Sequence, residues 1–157
     1  MKIEDIKMLQ QRKPIERIGK RMSKYAFGVD VGGTSVKLGL FESEGTVLDK
    51  WEIPTVTEDQ GAAILPDIAK SIRAKMEERG LKEADVAGIG IGVPGPVDRG
   101  GLLVGRAVNL GWEDLDIPKA LSAYINVPVK AANDANVAAF GELWQGGGKG
   151  YENMVAV

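Results

Sequence analysis

Histidine and cysteine are both absent from this chain of 157 residues. Without histidine there is no imidazole to act as a general acid, complete a nucleophilic triad or ligate zinc. Without cysteine there is no disulfide and no thiolate nucleophile, which fits a reducing compartment. Any acid–base role therefore falls to Asp, Glu, Lys or Tyr. Long apolar runs are missing as well. None approaches the roughly 18 residues of a membrane span, and no signal peptide is visible, so a cytoplasmic protein with no membrane partner is expected. Aromatic residues are few, at 6%, and the net charge is only −2 with 27% of residues charged. That composition indicates neither a disordered chain nor a nucleic-acid binder.

What is present is enough apolar material, 44%, for one core and too little chain for two comfortable domains. Charge is unevenly spread: residues 1–24 carry eight Lys/Arg against three Asp/Glu, and the rest carries 12 against 19. Ile3, Ile6 and Leu9, then Ile15, Ile18 and Met22, recur at helical spacing on either side of Pro14. Residues 1–24 thus read as an amphipathic basic N-terminal extension, too short for a winged-helix domain, with residues 1–21 upstream of the natural start or an artefact. Residues 25–157 read as the folded unit.

Three strands are expected first, at Tyr25–Val31, Ser35–Phe41 and Thr46–Ile53. Ile64, Ile68, Ile72 and Met76 recur every four residues in a helix running to about Arg79, with Gly80 as its cap and Pro66 tolerable only in the first turn. Val86–Val93, laced with glycine, reads as a buried strand onto which neighbouring backbone can press closely. Residues 97–112 read as a long loop, followed by a helix over Ile117–Ile125 and a strand over Val129–Ala131. Asn133 or Asp134 would cap a helix to Trp144, and Met154–Val157 would begin another strand. The order predicts an α/β domain with a mixed five-stranded sheet, an antiparallel meander followed by parallel crossovers.

Chemistry concentrates at a few places. Asp30-Val31-Gly32-Gly33-Thr34 joins the first two strands through a turn without bulk, whose amides can face an anion while Asp30 faces a hydrated cation. The same turn is also an ordinary hairpin device. It has neither the Gly-Lys-Ser/Thr of a Walker loop nor the glycine spacing of a dinucleotide site. Asp30 ends a strand that reads as buried, where a carboxylate needs a partner. Asp134 opens a helix after a strand, which suits a ligand site and equally suits a plain N-cap. Asn109, Asn133 and Asp134 offer groups suited to sugar hydroxyls. Trp112 suits either a sugar face or the core, and Lys37 and Glu142 suit solvent.

Taken in order, Asp30-Val31-Gly32-Gly33-Thr34, Gly92-Val93-Pro94-Gly95-Pro96-Val97-Asp98, Asn109-Leu110-Gly111-Trp112 and Asn133-Asp134-Ala135-Asn136 resemble the motifs of ROK-family sugar kinases, bacterial glucokinases especially. The resemblance covers nearly all of residues 25–157. It implies an actin-like, ribonuclease-H-like lobe and ATP-dependent phosphorylation of a hexose, with ATP and Mg2+ as cofactors. Asp30, Gly32, Gly33 and Thr34 would then form the first phosphate motif, with Asp30 acting through magnesium. Asp134 would be the general base for the sugar 6-hydroxyl, Asn109 and Asn133 its hydroxyl ligands, and Gly95 and Pro96 part of the sugar-pocket wall. The family's second phosphate motif, adenosine site, sugar-binding Glu and His, and Cys/His zinc site have no counterpart here. The chain therefore looks like an N-terminal lobe, inactive alone. The alternatives are the sugar-sensing lobe of a ROK-type transcriptional regulator, and a short protein that self-associates through the surface a second lobe would cover.

Overall fold

The computed structural model describes residues 23–103 and 105–133. The basic segment 1–22, the expected helix beyond Asn133 with Asp134 and Glu142, and the expected strand at Met154–Val157 lie outside the described residues.

Strands β1 (Tyr25–Val31), β2 (Ser35–Glu42) and β3 (Val47–Pro54) form the antiparallel meander. Helix α1 (Ile64–Glu78) follows, then β4 (Val86–Val93), which pairs parallel to β1. The stretch expected to be loop contains a small hairpin of β5 (Arg106–Ala107) and β6 (Trp112–Glu113). Two-residue strands are too short to leave a periodic trace, so the sequence did not announce them. Helix α2 (Ile117–Ser122) is capped by the Asp116 carboxylate, which accepts the Lys119 N–H at 3.0 Å, and stops one turn before the expected Ile125. Strand β7 (Val129–Asn133) is parallel to β4 and completes the order β3-β2-β1-β4-β7. This is the mixed five-stranded sheet the sequence predicts.

Alternation along the strands decides which face is core. Phe27, Val29 and Val31 of β1, Val36, Leu38 and Leu40 of β2, and Ile89, Ile91 and Val93 of β4 are buried in one cluster with Ile64, Ile68, Ile72 and Met76 of α1. Ile68 and Ile72 are wholly buried, each contributing about 2–3 kcal/mol of apolar transfer. Pro66 sits in the first turn of α1, where its missing N–H has no intrahelical partner to lose. Gly80 ends the helix with φ +65, while its N–H donates to Glu77 and the Leu81 N–H to Met76.

On the opposite face, Gly39, Gly28 and Gly90 lie side by side across β2, β1 and β4. A Cβ on Gly28 or Gly39 would come within 3.0 or 2.7 Å of the Phe41 ring. It is thus chiefly a side chain, not backbone, that uses the space left by these two glycines. Close backbone approach occurs at Gly88, where a Cβ would lie 3.1 Å from the Pro128 carbonyl oxygen.

Helix α1 is also tied to β3 by polar contacts. Lys75 Nζ lies 2.8 Å from Asp49 and 2.9 Å from Glu78, and 4.9 Å from the centre of the Trp51 ring. The Trp51 indole N–H donates to Ser71 Oγ at 2.8 Å. The Lys75 hydrogen bond holds the Asp49 carboxyl below its ordinary range, and Asp49 in turn raises the Lys75 ammonium. Among the described residues no helix is long and apolar enough to cross a membrane.

Candidate functional site at the carboxyl edge of the sheet

Because β1, β4 and β7 run parallel, their carboxyl ends share one edge. Asp30 is level with Gly92, Gly92 with Ala132, and Val93 with Asn133. Two strand spacings, about 10 Å, separate β1 from β7. The Gly32-Gly33 turn, the Pro94-Gly95-Pro96 loop and Asn133 therefore lie at the edge where open α/β sheets hold ligands.

The turn is tightly built. The Gly32 N–H donates to the Ser35 carbonyl at 3.0 Å, and a Cβ on Gly32 would lie only 2.7 Å from that oxygen. Thr55 braces the turn from outside: its N–H donates to the Thr34 carbonyl at 2.9 Å and its hydroxyl to the Gly32 carbonyl at 2.7 Å. The N–H groups of Gly33 and Thr34 find no acceptor among the described residues, and both residues are exposed. Exposed amides without an acceptor among the described residues, on a turn with no side chain at Gly32 or Gly33, fit a phosphate group. Asp30 is exposed, not buried as its apolar flanks suggested. It belongs to the alternate set Gly28, Asp30 that faces away from the core, beside Lys37 of β2, which is likewise exposed. An exposed carboxylate can meet a hydrated magnesium ion without the cost of burial. No cluster of three metal-ligating side chains occurs among the described residues.

Asn109 is exposed in a short 3-10 turn, Val108–Leu110, which Gly111 closes with φ +75. Gly33 packs against it: a Cβ there would stand 3.5 Å from Asn109 Cβ. The Gly32-Gly33 turn and Asn109 are thus neighbours, although Gly33 and Asn109 are 76 positions apart in the chain. Trp112 does not offer its ring to a sugar. It is 5% exposed in the core, and its indole N–H donates to the Gly61 carbonyl at 3.2 Å. Gly61 closes the turn Glu58–Gly61, in which Asp59 and Gln60 take φ of 53 and 59. Left-handed backbone costs about 1–2 kcal/mol for each residue bearing a Cβ.

At the far side, the Asn133 side-chain amide donates to the Gly95 carbonyl at 2.7 Å, and Gly95 has φ +141. Asn133 is the last residue of β7, so it fastens the Gly95-Pro96 loop from a strand. Pro96 is exposed beside it. Asp98 spends its carboxylate inside the same loop, accepting the N–H groups of Gly100 and Leu102 at 2.8 and 2.9 Å. Asp134 lies outside the described residues. Sequence reasoning missed Thr55, Gly61 and the structural use of Trp112, because these contacts join positions far apart and leave no local pattern.

Comparison with known proteins gives a consistent answer. The chain is 39% identical over 134 residues to a glucokinase of Halalkalibacterium halodurans, covering 85% of this chain and 41% of that one. It is 32% identical over 152 residues to the xylose repressor of Bacillus subtilis, covering 93% of this chain and 38% of the repressor. The chain therefore spans about two fifths of the length of these relatives. Its structure superposes with TM-score 0.69 and 31% identity on a ROK family glucokinase from Streptomyces griseus in complex with glucose and AMPPNP, covering 80% of this chain and 38% of that one. The ROK family pattern matches residues 26–157, and the chain belongs to the ROK family.

Proposed function

We propose that residues 25–157 are the N-terminal lobe of a ROK-type sugar kinase that moves the γ-phosphoryl group of ATP to the 6-hydroxyl of a hexose, glucose first among the candidates. The observation that carries this reading is the seating of Gly33 against Asn109, which brings an anion-suited turn to a hydroxyl-suited amide. The glucokinase relative and the solved glucokinase holding glucose and AMPPNP support the substrate class.

In this reading Gly32, Gly33 and Thr34 hold phosphate oxygens and Asp30 holds water of a magnesium ion. Bound there, Mg·ATP supplies the phosphoryl group with its charge partly offset. Asn109 and Asn133 orient the sugar, while Gly95 and Pro96 form the pocket wall. Asp134, which continues the chain from Asn133, takes the hydroxyl proton as that oxygen attacks phosphorus. Positioning and charge do most of the work in such a transfer, so the chain's lack of histidine and cysteine is no obstacle. The second half of the cradle is assigned to a second lobe, and the chain alone is expected not to turn over. In the two-lobed protein, Asp134→Asn is expected to lower kcat by about 100- to 10,000-fold while glucose binding persists. Near-normal turnover in that variant would remove Asp134 from the role of base.

One observation favours a second reading, the sugar-sensing lobe of a transcriptional regulator. The alignment with the xylose repressor leaves only 7% of this chain outside, so it reaches into the basic segment 1–24, whereas 85% coverage by the glucokinase fits within residues 25–157. A gel-shift separates the two: retardation of a specific DNA by the native gene product supports the regulator, and phosphorylation of glucose without retardation supports the kinase.

A further inference from the structure

The segment between β3 and α1 touches both loops of the candidate site. At its start, Thr55 donates its N–H to the Thr34 carbonyl and its hydroxyl to the Gly32 carbonyl. At its end, the Gly61 carbonyl accepts the Trp112 indole N–H. In between, Asp59, Gln60 and Gly61 take three consecutive left-handed conformations, with φ of 53, 59 and 67. Residues with a Cβ hold such a conformation only when their surroundings impose it. Here the surroundings are the Asn109 loop. A Cβ on Gly61 would run into the Leu110 carbonyl oxygen, and one on Gly111 would lie 2.9 Å from Gln60 Cα. The ring of contacts closes where Gly33 meets Asn109.

We propose that residues 55–61 form a positioning strap that couples the Gly32–Thr34 turn to the Asn109 loop, so that neither shifts without the other. Thr55 is a positioning residue, acting through the two carbonyls it holds. Its value to catalysis rests on the kinase reading, because it would keep the phosphate turn and the sugar ligand in one register. The coupling itself does not depend on that reading. The left-handed turn ends at the Gly61 carbonyl that accepts the Trp112 indole N–H, and Trp112 follows Asn109 by three residues.

Amide and indole hydrogen exchange, followed by NMR on this chain, tests the strap. Thr55→Val removes the hydroxyl donor at nearly constant shape. It is expected to speed exchange of the Trp112 indole N–H about tenfold, and Thr55→Ser to restore it to within about twofold. Trp112→Phe, read from the other end, is expected to speed exchange of the Thr55 N–H by a similar factor. The amides of Ile68–Ile72 in α1 serve as the unchanged reference. A purely local role for Thr55 would move only Gly32–Ser35. An unchanged indole in folded Thr55→Val, or an unchanged Thr55 N–H in Trp112→Phe, would overturn the coupling. Should Thr55→Val fail to fold, the Trp112→Phe measurement decides alone. If the strap is found coupled while the two-lobed protein transfers no phosphoryl group, only the kinase reading falls.

Discussion

Gly32 and Gly33 are neighbours of the same type, yet a methyl group would meet different surroundings at each. At Gly32 it would press on the Ser35 carbonyl oxygen at 2.7 Å, and at Gly33 it would make ordinary contact with Asn109 Cβ at 3.5 Å. Gly32→Ala is therefore expected to cost about 1–3 kcal/mol. Gly33→Ala should stay within about 0.5 kcal/mol. Urea denaturation of the two variants checks the ranking, and equal midpoints would contradict it. A second pair separates backbone strain from crowding. Gly61 and Gly80 have nearly the same φ, +67 and +65, but a Cβ at Gly80 meets nothing within 4 Å whereas one at Gly61 meets Leu110 and Trp112. Gly80→Ala should lose about 1 kcal/mol and Gly61→Ala clearly more, as read from thermal midpoints. Asp30 teaches a related lesson. Its apolar flanks suggested burial, but the alternation of Phe27, Val29 and Val31 already assigned Asp30 to the other face.

Among the elements, β1 to β4 and α1 were legible because their apolar positions repeat every two or four residues over at least seven residues. The β5–β6 hairpin was not, since two residues carry no period. Nor was the tether between β3 and α1, because it joins Asp49 and Trp51 to Ser71 and Lys75 through side-chain tips. That tether has a pH signature. Asp49 is held below its ordinary value, chiefly by the hydrogen bond from Lys75, so its contribution to stability is present above about pH 4 and fades as pH falls through the lower folded value. Lys75 is held above its ordinary value, chiefly by Asp49, so its contribution is full below about pH 10 and fades as pH rises through the higher folded value. Asp49→Asn is accordingly expected to flatten the acid limb of the stability curve. Chemical denaturation at pH 3, 5 and 7 measures it. An acid limb as steep as in the parent would show that another carboxylate sets it.

For the whole molecule, the sheet's topology matters more than any one motif. A meander followed by parallel crossovers brings the ends of β1, β4 and β7 to one edge, where segments scattered from Asp30 to Asn133 meet. The sequence carried the order of those segments, and the resemblance they support gave the family correctly. It could not carry the Thr55 brace or the Trp112–Gly61 hydrogen bond, which exist only once the sheet has formed. The central claim is that nucleotide phosphates dock on the Gly32–Thr34 turn, and paramagnetic broadening of this chain's amide spectrum by Mn2+·ATP tests it directly, because even weak binding is visible. Gly32, Gly33 and Thr34 should broaden first, with Asp30 and Asn109 close behind and the amides of α1 unaffected. Broadening that spares the turn, or that begins at α1, would contradict the account.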